Sequence, residues 1–224
     1  MNMNPTELIA NLDHLIAAAP DEIMPTAEQI AAAEDQRRIK LRDARAWQAL
    51  GSRTGWPEKY LEAVKTPPHG QEWLVAFDIA AEKVRKKGIV VLYGKRGGGK
   101  TRMAAELAVV VGGSQYRTAM RFFLEVRATF RRDAIRSEMD VIDELATAPL
   151  LILDEIQERG ETAFEDRLLT HVIDARYAAM KPTILIANLA KSDLAESLGK
   201  SIVDRARENG KSIEFTWESY RKQP

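Results

Sequence analysis

The chain has no cysteine, which excludes both a disulfide framework and a thiolate-bound zinc site. Its three histidines, His14, His69 and His171, lie too far apart in sequence to form a local metal motif. No apolar run approaches the roughly 20 residues that a membrane-spanning helix needs. Glu7 and Asp13 stand where a secretory signal would be basic and then apolar. These absences lead us to expect a cytoplasmic protein with no membrane partner. An excess of one charge is also missing, since Lys plus Arg and Asp plus Glu each number 33, so any nucleic-acid contact must come from local clustering. What remains is ordinary globular composition, 45% apolar and 29% charged over 224 residues, which suits one sizeable domain or one domain with a small appendage.

The stretch Ile89–Thr101, IVVLYGKRGGGKT, organises the rest. Gly94, four intervening residues, Gly99, Lys100 and Thr101 satisfy the spacing G-x-x-x-x-G-K-[ST] of a phosphate-binding loop. A β-branched run supplies the strand before it. Gly97, Gly98 and Gly99 allow backbone angles closed to residues with a Cβ and let the chain approach the phosphates. The helix that follows aims its N-terminal dipole at them. Lys100 is suited to neutralise the β/γ oxygens, and the Thr101 hydroxyl to ligate Mg²⁺. These residues point to ATP with Mg²⁺ as the ligand.

A second element is Leu150–Ile156, LLILDEI, a buried apolar strand that ends in two acids. Alone it could be a surface exit. With a phosphate loop upstream, both carboxylates come to the same edge of the sheet, where Asp154 can hold the Mg²⁺ shell and Glu155 can polarise an attacking water. Asn188 directly follows a third apolar strand, Thr183–Ala187; its amide can orient that water, although Asn is also a common turn residue. His171 and Asp174 share a helix face at a spacing more typical of a surface contact than of a catalytic pair.

Around these motifs the chain divides at the breaker cluster Lys65–Gly70, giving a helical region over 1–65 and an α/β domain over 66–224. Helices are expected over Glu7–Ala19 and from Thr26 to about Leu50. The second carries Arg37, Arg38, Arg42 and Arg45 on one side, either a solvated face or a docking face for a partner. From Gln71 onward helices and strands alternate: a helix to Lys87, a strand Ile89–Tyr93, a helix Lys100–Val111 and a strand near Tyr116–Met120. Helices follow from Phe122 to Ile135 and near Val141–Ala146. After the strand Leu150–Leu153 comes a helix Thr162–Met180, with Thr162 and Glu165 as a capping box, and then the strand at Thr183. Two short helices and a strand near Ser212–Trp217 close the chain. This order implies a parallel sheet flanked by helices, a P-loop NTPase, with ligands at the carboxyl ends of the strands.

The phosphate loop, Leu150–Ile156, Asn188 and above all the tail LGKSIVDRARENGKSIEFTWESYR (Leu198–Arg221) resemble the DnaC/IstB group of AAA+ ATPases, the helicase loaders and transposition helpers. The tail is the specific part, with Asp204-Arg205 in a helix and Trp217-Glu218-Ser219-Tyr220-Arg221 after a strand. The resemblance covers roughly Gly70–Arg221. It implies an AAA+ domain without a C-terminal helical lid, and ATP hydrolysis with Asn188 as sensor 1 and Arg205 as an arginine finger reaching a neighbouring copy in an ATP-dependent homo-oligomer. It further implies a replicative DNA helicase as the partner of the N-terminal helices, or, in the IstB-like alternative, regulation of a transposase on DNA. Single-stranded DNA would meet Arg117–Arg136, where six arginines accompany Phe122, Phe123 and Phe130. The same residues also fit a helix packed on the sheet by its phenylalanines with its arginines in water.

Overall fold

A computed structural model of the chain describes residues 55–61, 70–160 and 162–220. The helices expected over Glu7–Ala19 and Thr26–Leu50, and breaker residues 65–69, lie outside the described residues. A short helix α1 (Glu58–Leu61) precedes α2 (Gln71–Arg85), β1 (Ile89–Gly94) and α3 (Lys100–Val111). Then come β2 (Gln115–Thr118), α4 (Ala119–Ala128), α5 (Glu138–Thr147) and β3 (Leu151–Asp154). The chain continues through α6 (Ala163–Ala178), β4 (Thr183–Ile186), α7 (Lys191–Leu198), α8 (Lys200–Asn209) and β5 (Gly210–Phe215).

The five strands form one parallel sheet in the order β2-β3-β4-β1-β5. Because side chains alternate along a strand, the fully apolar β1 feeds two cores at once. Ile89, Val91 and Tyr93 enter the layer built with α4 to α8, while Val90 and Leu92 enter the layer built with α2 and α3. β3 and β4 divide in the same way, Leu151, Leu153 and Leu185 to the first layer and Ile152, Ile184 and Ile186 to the second. Among the described residues no helix is long and apolar enough to cross a membrane.

Three local expectations change. The helix expected over Phe122–Ile135 is α4, which starts earlier because Thr118 caps it, its hydroxyl accepting from the Arg121 N–H at 3.2 Å. It stops at Ala128; the Thr129 hydroxyl turns back to the Val126 carbonyl at 2.7 Å, and Phe130 and Ile135 beyond it find no core to enter and stay exposed. At α6 the capping box forms by half. Thr162 accepts from the Glu165 N–H, but the Glu165 carboxylate instead meets Arg127 at 2.7 Å. A full capping box occurs at Ser137 and Asp140, which start α5.

Two buried features tie this frame together. Arg176 is fully buried on α6, and its guanidinium donates to the carbonyls of Leu145, Ala146, Ala148 and Pro182 and to the Thr183 hydroxyl. Leu145 and Ala146 belong to the last turn of α5, where helix carbonyls lack internal partners. Trp56 belongs by composition with the N-terminal region, yet it is 6% exposed and packs into the layer of α2 and α3.

Candidate functional site

The phosphate loop leaves β1 at Gly94 and enters α3 at Lys100. Gly99, the residue before the helix, is left-handed at φ 87, a conformation that costs a residue with a Cβ. Gly97 stands at φ 90, and a Cβ on it would lie 1.9 Å from the Ser219 hydroxyl. The tail of the chain is the reason. After β5 it runs over the loop, with the Tyr220 N–H donating to the Gly97 carbonyl and the Trp217 indole N–H to the Gly98 carbonyl, both at 3.0 Å. Phe215 packs beneath Gly98 and beside Trp217. Lys100 is 5% exposed, its ammonium donating to the carbonyls of Gly94 at 2.8 Å and Lys95 at 2.7 Å.

β3 brings the acids to this loop. The Thr101 hydroxyl donates to Asp154 Oδ2 at 2.8 Å, and the Tyr116 hydroxyl donates to the same oxygen at 3.0 Å. Asp154 Oδ1 accepts the Glu155 N–H at 2.7 Å. Burial pushes the Asp154 carboxyl above the usual aspartate range, and the three hydrogen bonds and the Lys100 charge pull against it. A threonine hydroxyl beside a carboxylate is a pair of hard oxygen donors that fits Mg²⁺, which takes only one or two protein ligands alongside phosphates. Among the described residues no cluster of three or more His, Cys, Asp or Glu competes as a metal cage.

Among the described residues Glu155 is one of three non-glycine residues at positive φ, at 53. Such backbone strain, of order 1–3 kcal/mol, gathers at functional sites and here turns the chain sharply out of the sheet. Burial raises the pKa of Glu155, Asp154 and Glu158 reinforce the shift by repulsion, and Arg96 and Lys59 oppose it. Asn188 follows β4, and its N–H donates to the Gln157 side-chain oxygen at 3.0 Å, linking it to the loop after Glu155. Gly94, Gly97, Gly98, Gly99, Lys100, Thr101, Asp154, Glu155 and Asn188 thus all stand at or just beyond the carboxyl ends of β1, β3 and β4.

Arg205 stands apart. The expectation that its guanidinium projects outward gives way to a contact within its own domain. It pairs with Asp174 on α6 at 2.8 Å, donates to the Ser201 carbonyl at 3.0 Å and lies over the Tyr177 ring. Asp174 therefore serves Arg205, and His171 on the same helix is exposed. In Arg117–Arg136 the packing reading prevails over most of the stretch. Phe122 and Phe123 are core, and Arg117 is buried with Glu125 and Glu144. Arg121, Arg127 and Arg136 pair with Glu125, Glu165 and Glu144. Phe130, Arg131 and Arg132 form the exposed remainder.

Sequence reasoning missed Tyr116, Trp56 and the bracing role of Trp217. A lone aromatic on an edge strand carries no signal of its own, whereas Trp217 and Ser219 already stood out in the tail motif.

The sequence matches the family described as IstB-like ATP binding protein over residues 73–224. It is 28% identical over 136 residues to the replicative helicase loader DnaC of Escherichia coli K12, a match covering 58% of this chain and 55% of that protein, so the matched part spans about half the length of that curated relative. Against the replicative helicase loader DnaC of Buchnera aphidicola subsp. Baizongia pistaciae, identity is 22% over 213 residues, 90% of this chain and 87% of the relative. The fold is similar to the crystal structure of the DnaC helicase loader, with a TM-score of 0.57 and 19% identity over 71% of this chain and all of that one. With its phosphate loop, parallel sheet and family match in agreement, the chain belongs to the IstB-like ATP binding proteins, the DnaC/IstB-type AAA+ ATPases.

Proposed function

We propose that the chain is an ATP-hydrolysing loader of a replicative DNA helicase. The observation that carries the hydrolytic part is the junction of Thr101 and Asp154 at 2.8 Å, with Glu155 adjoining. Lys100 leaves its loop carbonyls for the β and γ oxygens of ATP; Thr101 and Asp154 would hold Mg²⁺, which would offset phosphate charge. Asn188 orients a water. Its oxygen bonds to the γ-phosphorus as the bond to the bridging oxygen breaks, its proton passes to the Glu155 carboxylate, and ADP leaves. Similarity to helicase loaders across most of the chain supports the partner. In this reading residues 1–65 hold the docking surface and 66–224 the ATPase. Arg205 of one copy completes the site of the next, which requires it to leave Asp174, so ATP promotes homo-oligomers. Phe130, Arg131 and Arg132 offer a stacking ring and cations to single-stranded DNA.

The family match also favours a second reading, an ATPase that regulates a transposase on DNA. Both share one test. Lys100→Ala is expected to abolish ATP binding, whereas Glu155→Gln keeps binding and stops turnover, because the lysine acts on ground-state phosphate and the glutamate only as water attacks. Equal loss of ATP affinity in both variants contradicts the assignment.

A further inference from the structure

Segment 55–61, which joins the N-terminal region to the ATPase domain, reaches the candidate site through one residue. Gly55 lies so close to β2 that a Cβ would fall 2.3 Å from the Tyr116 carbonyl and 2.4 Å from the Arg117 guanidinium, and its φ of 77 is left-handed. The close approach seats Trp56, whose ring stacks on Tyr116 with centroids 4.4 Å apart while its indole donates to the Ser114 hydroxyl at 2.9 Å. Tyr60 meets Trp56 edge-on at 6.3 Å. The far end of the Tyr116 ring carries the hydroxyl that donates to Asp154 Oδ2, the oxygen also bound by Thr101. A short stretch of chain outside the sheet is therefore joined, through Tyr116, to Asp154.

We propose that Tyr116 is a positioning residue for Asp154, and that the segment carrying Trp56 sets it: docked, the stack holds the phenol against the carboxylate and presents that carboxylate to Mg²⁺; undocked, it does not. The inference rests on the Mg-nucleotide reading of the site. It supplies a route by which a partner seated on the N-terminal region changes nucleotide handling, since pulling on the segment draws Trp56 off Tyr116. The coupling is reciprocal, so Mg²⁺ with nucleotide must in turn favour the docked segment.

Two measurements on the full chain test this. In titrations with a non-hydrolysable ATP analogue, Tyr116→Phe is expected to weaken binding about tenfold in Mg²⁺, the scale of a hydrogen bond to a charged group, and to leave binding in EDTA unchanged. Trp56→Ala should reproduce the effect, Trp56→Phe should restore much of it by keeping a stacked ring, and the double variant should be no worse than Tyr116→Phe. In hydrogen exchange on the wild type, residues 55–61 should gain protection with Mg²⁺ and analogue but not with analogue in EDTA. Wild-type Mg²⁺ dependence in Tyr116→Phe, or equal protection under both conditions, overturns the coupling while leaving nucleotide binding in place. A wild-type chain that binds no nucleotide overturns both the coupling and the reading beneath it.

Discussion

The indole of Trp217 donates a 3.0 Å hydrogen bond to the carbonyl of Gly98, so the tail of the chain braces its phosphate loop. A loop that cradles phosphate with its N–H groups must turn its carbonyls elsewhere, and Trp217 and the Tyr220 N–H receive two of them. Trp217→Phe keeps the ring against Phe215 but loses the donor, and should weaken ATP binding by about 1 kcal/mol, roughly fivefold, with a small drop in melting temperature. Calorimetric titration beside thermal unfolding checks this; unchanged affinity means that the loop holds its shape without the tail.

The raised pKa of Glu155 fixes the sign of a pH effect. A general base works ionised, so ATPase activity should fall as pH drops through its pKa, with the acid limb above the 4.5 of an ordinary glutamate. Lowering pH protonates the base; raising it has no further effect through this group. Arg96 opposes the shift, so Arg96→Ala should move the limb further upward in a pH profile of kcat.

Arg176 carries stability rather than chemistry. Arg176→Met keeps much of the side chain's bulk but strands the buried carbonyls of Leu145, Ala148 and Pro182, and should cost about 3 kcal/mol or more. Urea unfolding followed by circular dichroism measures it. A cost under about 1 kcal/mol would mean that water reaches those carbonyls.

Arg205 is held by Asp174, so a role at a neighbour's site requires an exchange of partners. Arg205→Ala and Lys100→Ala proteins should each be inactive alone and recover part of their ATPase on mixing, because a mixed interface pairs an intact loop with an intact arginine. Asp174→Ala should retain activity, since it only frees the guanidinium. If Arg205→Ala is fully active alone, the arginine is a half-buried contact within its own domain and nothing more.

The sheet was legible because β1, β3 and β4 are short apolar runs that end in motif residues, and the glycine pattern of the phosphate loop has few other uses. Where reading failed, a tertiary contact overrode a local pattern. Glu165 has the spacing of a capping box but finds Arg127; Arg205 is expected to reach outward but finds Asp174 on another helix. The Tyr116 contact with Asp154 spans 38 residues of sequence and belongs to no motif, so only the register of β2 on β3 reveals it. The burial of Trp56 was not legible either, because its partners Tyr116 and Ser114 lie about sixty residues away in sequence.

The central claim, that this ATPase serves a replicative helicase, is tested most directly by size-exclusion chromatography with light scattering of the full chain mixed with a hexameric replicative helicase from the same source, with ATP. The result expected is a complex of defined stoichiometry that forms with the wild type and with Glu155→Gln and persists longer in the latter, because hydrolysis times release. Separate elution of the two proteins with ATP, at concentrations where the chain demonstrably binds nucleotide, would contradict it.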